Sequence, residues 1–133
     1  RQYLAPLRKE VGDLLNRFFG ADSASVEFAE DFGLQTLSRS NEGSFDFDQL
    51  SAGAKQQLSV LIRVAMARLI AEERPHPVFL DDALSDTDPE RFAAIANILR
   101  SVAREMQIIM TTCHHERHRR LGVSAKRMDS LKR

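Results

Sequence analysis

The segment Phe47–Leu58 reads FDQLSAGAKQQL, and the interpretation of the whole chain starts from it. Its small residues, 51–54, open a long stretch over about 52–73 in which apolar residues recur at helical spacing. A helix that begins in such a turn directs free N–H groups and the positive end of its dipole outward, which attracts anions. Ser51 adds a hydroxyl donor, and Gly53 lets the backbone approach a ligand closely. The pattern indicates a phosphate-binding helix start, although Ser-x-Gly before a helix is also an ordinary cap.

A short apolar run, Val78–Leu80, ends in two acids, Asp81 and Asp82. The run follows a Pro-His-Pro stop and is typical of a buried strand in a parallel sheet. Because ligands bind at the carboxyl ends of such strands, the two acids are candidate site residues. Carboxylates at such a position suit Mg²⁺ held through water, or the orienting or deprotonation of an attacking water. A plain role as a turn or helix cap is the alternative for either acid.

A second apolar run, 107–112, predicts a neighbouring strand that leads to His114. Asp88 before a proline is a good helix N-cap, so a helix to about residue 105 joins the two strands. Strand, helix and strand in this order predict an α/β fold with parallel strands. A histidine at the end of the second strand can donate a hydrogen bond to a phosphate; His114 is the better candidate and His115 its rival.

The N-terminal part of the chain has two other patterns. Residues 2–19 carry apolar residues alternately three and four apart, which fits a coiled coil or a single amphipathic helix packed on its own domain. Alternating residues over 25–47 predict two or three short antiparallel strands. We therefore expect a helix over 1–20, for which the pattern alone favours the single packed helix, and an α/β lobe over 21–133. The chain starts inside a helical pattern without a start Met, which indicates a fragment of a longer protein.

Composition excludes several classes of protein. The chain has 133 residues, 43% of them hydrophobic and 29% charged, and a net charge of zero, so it shows no general attraction to nucleic acid. Its basic end, 116–133, holds seven Lys or Arg against two acids.

The single cysteine excludes an internal disulfide and fits a reducing cytoplasm. Four potential zinc ligands fall within six residues, too crowded for the paired spacing of a structural site: Cys113, His114, His115 and His118.

In their order and spacing, these pieces resemble the C-terminal half of an ATP-binding-cassette ATPase head of the SMC/SbcC/RecF type. The family signature, Leu-Ser-Gly-Gly followed by Gln or Glu, is matched at Leu50, Ser51 and Gly53. Ala52 replaces the first glycine, and Ala54 replaces the polar residue. The Gly-rich phosphate loop of these P-loop ATPases is absent from the chain.

The resemblance covers residues 44–121 and implies a role for each motif. In the family, the signature contacts the γ-phosphate of ATP held by the opposite head, so Ser51 and Gly53 are expected to act across a pair of heads. Asp81 is expected to bind Mg²⁺. Asp82 is expected to handle the attacking water, and most members have Glu at this second position.

The loop over residues 83–88 aligns with a family loop that crosses the dimer interface and links the two active sites. Asp88 matches the family Asp at the nucleotide site, while Thr87 stands where Leu is usual. His114 matches the histidine that senses the γ-phosphate. The helix at the N-terminus and the strands after it then resemble the returning coiled-coil arm and the strands that join it to the head.

Such a lobe, completed by an N-terminal (Walker A) lobe, is expected to bind Mg-ATP, to dimerise with a second head across the nucleotides and to hydrolyse them; the isolated chain is expected to be inactive. Hydrolysis would move coiled-coil arms in DNA repair, segregation or defence. The expected setting is cytoplasmic, with DNA as a ligand of the full complex and no membrane. The resemblance also allows a nuclease as a further partner of the complete protein.

Two other classes remain. A Toprim-like metal-dependent nuclease would use Asp81, Asp82 and Asp86, but that fold needs an earlier strand ending in Glu at a Gly-rich turn and gives the helix start at Ser51 no role. A non-catalytic interaction lobe would explain the missing phosphate loop, whereas the retained acids and His114 argue against it.

Overall fold

The computed structural model describes residues 4–20, 24–31, 33–39 and 42–128. Two short 3-10 helices span Phe47–Gln49 and Arg117–Leu121. Within the described ranges, no helix combines the length and apolar composition that crossing a bilayer requires. The elements in chain order are α1 (Leu4–Phe19), β1 (Ala24–Phe28), β2 (Leu34–Arg39), β3 (Gly43–Asp46), α2 (Ala52–Ala71), β4 (Val78–Asp81), α3 (Pro89–Val102) and β5 (Ile108–Thr111).

The strands form two separate sheets. β1, β2 and β3 are antiparallel neighbours, as the alternation over 25–47 predicts. Gly43 opens β3 with a φ of 86°, a left-handed conformation that glycine adopts without steric cost. β4 and β5 lie side by side in parallel, with α3 as the crossover between them. This strand–helix–strand unit confirms the predicted α/β architecture and brings the carboxyl ends of β4 and β5 to one edge.

One cluster of buried side chains joins the helices to both sheets. Leu14, Leu61, Leu80 and Ile95 are each at most 1% exposed, and each such burial stabilises the fold by about 1.5–3 kcal/mol. The apolar stripe of α1 packs onto β1, α2 and α3. Over its described residues, α1 therefore belongs to the core of the lobe, and its continuation into a coiled-coil arm stays a prediction.

Three apolar side chains that lie within the predicted strand and helices are exposed. Phe79 is 57% exposed although it lies in β4, because within the described residues only one face of the β4–β5 sheet is covered. Ile70 is 39% exposed near the end of α2, which stops at Ala71, before the predicted end. Ala103 is exposed because α3 ends at Val102.

Candidate functional site

The ends of β4 and β5 bring two acids next to two threonines. The register pairs Asp81 with Thr111, and the Thr111 hydroxyl donates a hydrogen bond to Oδ1 of Asp81. The Thr112 hydroxyl lies 3.5 Å from Oδ1 of Asp82, at the long limit of a hydrogen bond. Each carboxylate thus has a hydroxyl beside it and retains an oxygen that can accept from a ligand or water.

Asp82 has an unusual backbone conformation. Its φ is 47°, in the left-handed region that non-glycine residues rarely adopt, although Asp tolerates it better than most. Its N–H donates to the carbonyl of Thr111 at 2.8 Å, so the turn is fixed to the end of β5. Such strain persists where the surroundings impose it, which is common at functional sites. β4 ends at Asp81, and the left-handed residue Asp82 follows it directly.

His114 lies at the same edge of the sheet. Its backbone N–H donates to the Thr112 hydroxyl at 2.9 Å, and its side chain is exposed. Thr112 therefore connects the backbone of His114 with the carboxylate of Asp82. The structure brings together three predicted site residues, Asp81, Asp82 and His114, and adds Thr112, which sequence reasoning missed. The only sequence signal for Thr112 is its place at the end of the second strand.

The rival His115 is also exposed, whereas His118 packs away from the edge. Nδ1 of His118 lies 3.1 Å from the carbonyl oxygen of His114, and its ring meets the edge of Phe92 at a centroid distance of 4.9 Å. Exposure alone does not separate His114 from His115. The contact with Thr112 ties the His114 backbone to the acids and makes His114 the better placed of the two.

Ser51 caps α2. Its side-chain oxygen accepts a hydrogen bond from the N–H of Ala54 at 3.2 Å, which leaves the hydroxyl proton as a donor for a ligand. The residue is exposed, and within the described chain it shares no hydrogen bond with the two acids or with His114. The hydroxyl of Ser51 is thus not tied to the acids through these contacts, and its action on nucleotide held by an opposite head stays a prediction.

Gly53 permits a close approach between α2 and the loop that follows β4. A Cβ atom at this position would lie 2.7 Å from the carbonyl oxygen of Asp86, closer than real Cβ atoms come. Gly53 is therefore required by packing within this chain, in addition to its predicted place beside a phosphate. At the far end of the loop, Asp88 caps α3 by accepting from the N–H of Arg91 at 2.7 Å.

Two further residues hold this loop, and sequence reasoning missed both. Gln56 on α2 binds the backbone N–H of Asp86 and two side-chain oxygens of the loop. Arg117 donates to the carbonyl oxygens of Ser85 and Thr87. The partners are about thirty residues apart in the chain, so no local pattern could have found them.

Mg²⁺ prefers one or two carboxylates and keeps several waters. The exposed carboxylate of Asp81, with the Thr111 hydroxyl beside it, fits that demand. Among the described residues, no three or more His, Cys, Asp or Glu side chains form a group that could hold a metal by themselves. Asp86 points to Gln56, so the set of three acids that a Toprim-like nuclease requires is not brought together. The cysteine and histidines of residues 113–118, which are described, likewise do not form a group that could hold a metal ion.

Comparison of the sequence with known proteins gives an uncharacterised relative and a relative with a stated function. The chain is 37% identical over 118 residues to an uncharacterised protein of Mycobacterium tuberculosis (strain H37Rv), covering 88% of this chain and 13% of the relative. It is 26% identical over 115 residues to the DNA double-strand break repair Rad50 ATPase of Methanocaldococcus jannaschii, covering 86% of this chain and 11% of the relative. The chain thus spans about an eighth of the length of these relatives. No protein-family profile matches it.

Solved structures give the fold. A chain from work on ATP-driven dimerisation and DNA-stimulated activation of SMC ATPases superposes with a TM-score of 0.68 at 15% identity, covering 94% of this chain and 80% of that one. The SMC head domain of Thermotoga maritima superposes with a TM-score of 0.66 at 13% identity, covering 86% of this chain and 40% of the head. The resemblance on which the sequence interpretation depends is confirmed at the level of fold. The chain has the fold of the C-terminal lobe of an SMC-type, P-loop ATPase head.

Proposed function

We propose that this chain supplies the signature and Walker B half of an ATP-hydrolysing head. The observation that carries the proposal is the edge where β4 and β5 end, at which Thr111 donates to Asp81 and Thr112 contacts both Asp82 and the backbone of His114. Similarity to SMC heads and to a Rad50 ATPase supports an ATPase-type function. An ordinary turn would not need two adjacent acids, a left-handed backbone at Asp82 and a Thr112 hydroxyl that contacts both Asp82 and the backbone of His114.

The proposed roles follow from position. Asp81 holds Mg²⁺ through water, and this ion, when bound, neutralises charge on the phosphates. Asp82 orients the attacking water and accepts its proton, since its carboxylate lies one residue beyond the metal-binding acid. The exposed ring of His114 donates a hydrogen bond to the γ-phosphate. Asp is one methylene shorter than Glu, and the left-handed backbone at Asp82 re-aims that shorter side chain.

The head requires a second lobe that carries the phosphate loop (Walker A). The exposed face of the β4–β5 sheet supports this, because Phe79 is 57% exposed there. A parallel sheet is normally covered on both faces, and two strands alone are marginal. The chain covers only 40% of the Thermotoga maritima head, which leaves room for such a lobe.

Two completed heads are proposed to close around ATP, with Ser51, Gly53 and Asp88 of one head contacting nucleotide held by the other. The exposure of Ser51, whose hydroxyl proton is available to a ligand, supports contact with nucleotide held by another head. One structure of similar fold comes from work on ATP-driven dimerisation and DNA-stimulated activation of SMC ATPases. By analogy we propose DNA as a ligand of the complete protein in the cytoplasm, in repair, segregation or defence, with a nuclease partner as a further possibility to test.

ATP-dependent association tests the proposal. The complete head, made of this chain and its phosphate-loop lobe, is followed by light scattering with and without Mg-ATP. ATP should drive dimer formation; Ser51→Arg should abolish it, and Asp82→Asn should prolong it. Ser59→Arg, at an exposed position of the same helix, is the matched control and should dimerise normally. Absence of any nucleotide effect with a folded head would overturn the proposal.

A further inference from the structure

The loop between β4 and α3, residues 83–88, is held on two sides by side chains from distant parts of the chain. We propose that Gln56 and Arg117 are positioning residues that fix this loop, so that the start of α2, the acids at the end of β4 and the segment after His114 move as one body. The proposal rests on the proposed ATPase function and adds two residues to which the motifs assign no role.

Gln56 uses both ends of its amide group. Its Oε1 accepts from the backbone N–H of Asp86 at 2.8 Å. Its Nε2 donates to Oγ of Ser85 at 3.0 Å and to Oδ2 of Asp86 at 3.2 Å. These three bonds lie beside the close contact between Gly53 and the Asp86 carbonyl oxygen. A surface glutamine with no task would not satisfy a loop backbone amide and two loop side chains together, so the loop is fixed to the first turns of α2.

Arg117 holds the opposite side of the loop. Its guanidinium donates to the carbonyl oxygen of Ser85 at 3.3 Å and to that of Thr87. The same group lies 5.2 Å from the centre of the Phe92 ring, a cation–π distance that fixes its orientation. Arg117 follows His114 by three residues, and its N–H donates to the His114 carbonyl oxygen at 3.1 Å. The loop is thereby connected to the segment of the candidate phosphate-sensing histidine.

The consequence is mechanical. Ser51 at the start of α2 and Asp82 at the end of β4 share no hydrogen bond, yet each is connected to the same loop, Asp82 through the chain and Ser51 through Gln56. When Gln56 is removed, the loop can move relative to α2, and the signature of one head loses its fixed position relative to its own acids. Since misplacement by about 1 Å can cost on the order of 100-fold in rate, a partial loss of positioning should reduce turnover by about tenfold.

The test uses the complete protein and the variant Gln56→Leu, because Leu and Gln have similar helix propensity. We expect kcat for ATP to fall by about tenfold with KM unchanged, since the nucleotide is gripped by the other lobe. Hydrogen exchange over residues 83–88 should become about fivefold faster, as expected for the loss of a typical hydrogen bond. Arg117→Lys keeps the charge but loses the pair of N–H groups that reach two carbonyl oxygens together, so it should lower kcat and speed exchange in the same way. The double variant should have about the same kcat and exchange rate as either single variant, because both side chains hold the same loop.

Gln107→Leu, at an exposed position before β5, is the matched control and should behave as wild type. Gln56→Met, which has a similar length and neither hydrogen-bonding end, covers the case in which Gln56→Leu fails to fold and should show the same effects. Unchanged kcat in Gln56→Leu with faster exchange overturns the positioning role and leaves the ATPase proposal standing. Absence of hydrolysis by the wild-type complete protein overturns the proposed function itself, and the exchange data still report whether Gln56 holds the loop.

Discussion

Replacement of Gly53 by Ala should destabilise the chain, although Ala is the better helix former. The new Cβ would lie 2.7 Å from the carbonyl oxygen of Asp86 and 3.6 Å from its carbonyl carbon, so it meets backbone and not a side-chain end that can turn away. Overpacking of this kind costs about 1–3 kcal/mol. The helix propensity of Ala returns up to about 1 kcal/mol. We expect the free energy of unfolding to fall by about 1–2 kcal/mol.

Gly12→Ala is the matched control, since Gly12 also lies inside a helix. There the nearest atom to a new Cβ is the carbonyl oxygen of Ala24 at 4.0 Å, an ordinary contact. The same substitution should therefore stabilise the chain, by about 0.5–1 kcal/mol. Urea denaturation of the two variants beside the wild type measures both effects. If Gly53→Ala is as stabilising as Gly12→Ala, the close contact between α2 and the loop does not exist and the argument for a fixed loop fails.

Three further substitutions probe other parts of the site. Thr87 is 3% exposed, and its hydroxyl has no hydrogen-bond partner among the described residues. Thr87→Val should therefore raise the free energy of unfolding, measured by urea denaturation, by about 1 kcal/mol. A lower free energy of unfolding in the variant would mean that the hydroxyl does have a hydrogen-bond partner. Asp82→Gly should relieve the left-handed backbone and stabilise the chain by up to about 1 kcal/mol while the complete head loses hydrolysis; a variant that keeps its turnover would contradict the role of the carboxylate. Asp88→Ala removes the cap of α3 and should cost about 1 kcal/mol, measured by thermal unfolding, and unchanged stability would refute the capping contact.

The edge that holds the acids could be predicted from the sequence because each part of it follows a local rule. A short apolar run with acids at its end places Asp81 and Asp82 at a strand terminus, and the strand–helix–strand order makes the strands parallel. Parallel strands end at one edge, so His114 had to lie near the acids. The caps at Ser51 and Asp88 are equally local, since each depends only on the three residues that follow.

What could not be predicted depends on contacts between distant residues. The pairing of Thr112 with Asp82 depends on the register of β4 and β5, which no single segment specifies. Gln56 and Arg117 reach the loop across about thirty residues of chain. The exposure of Phe79 has a different origin, because an apolar strand residue indicates burial in a complete sheet, and the covering layer on that side is not provided by the described residues.

The rate of ATP hydrolysis by the complete head, with Asp82 intact and with Asp82→Asn, tests the central claim most directly. The substitution keeps the size of the side chain and removes its ability to accept a proton, so a fall of about 100-fold or more is expected with ATP binding retained. Asp13→Asn, at an exposed position on α1, should hydrolyse like the wild type and serves as the matched control. Hydrolysis that is equally fast in Asp82→Asn and in the wild type would contradict the assignment of this edge as the site of ATP cleavage.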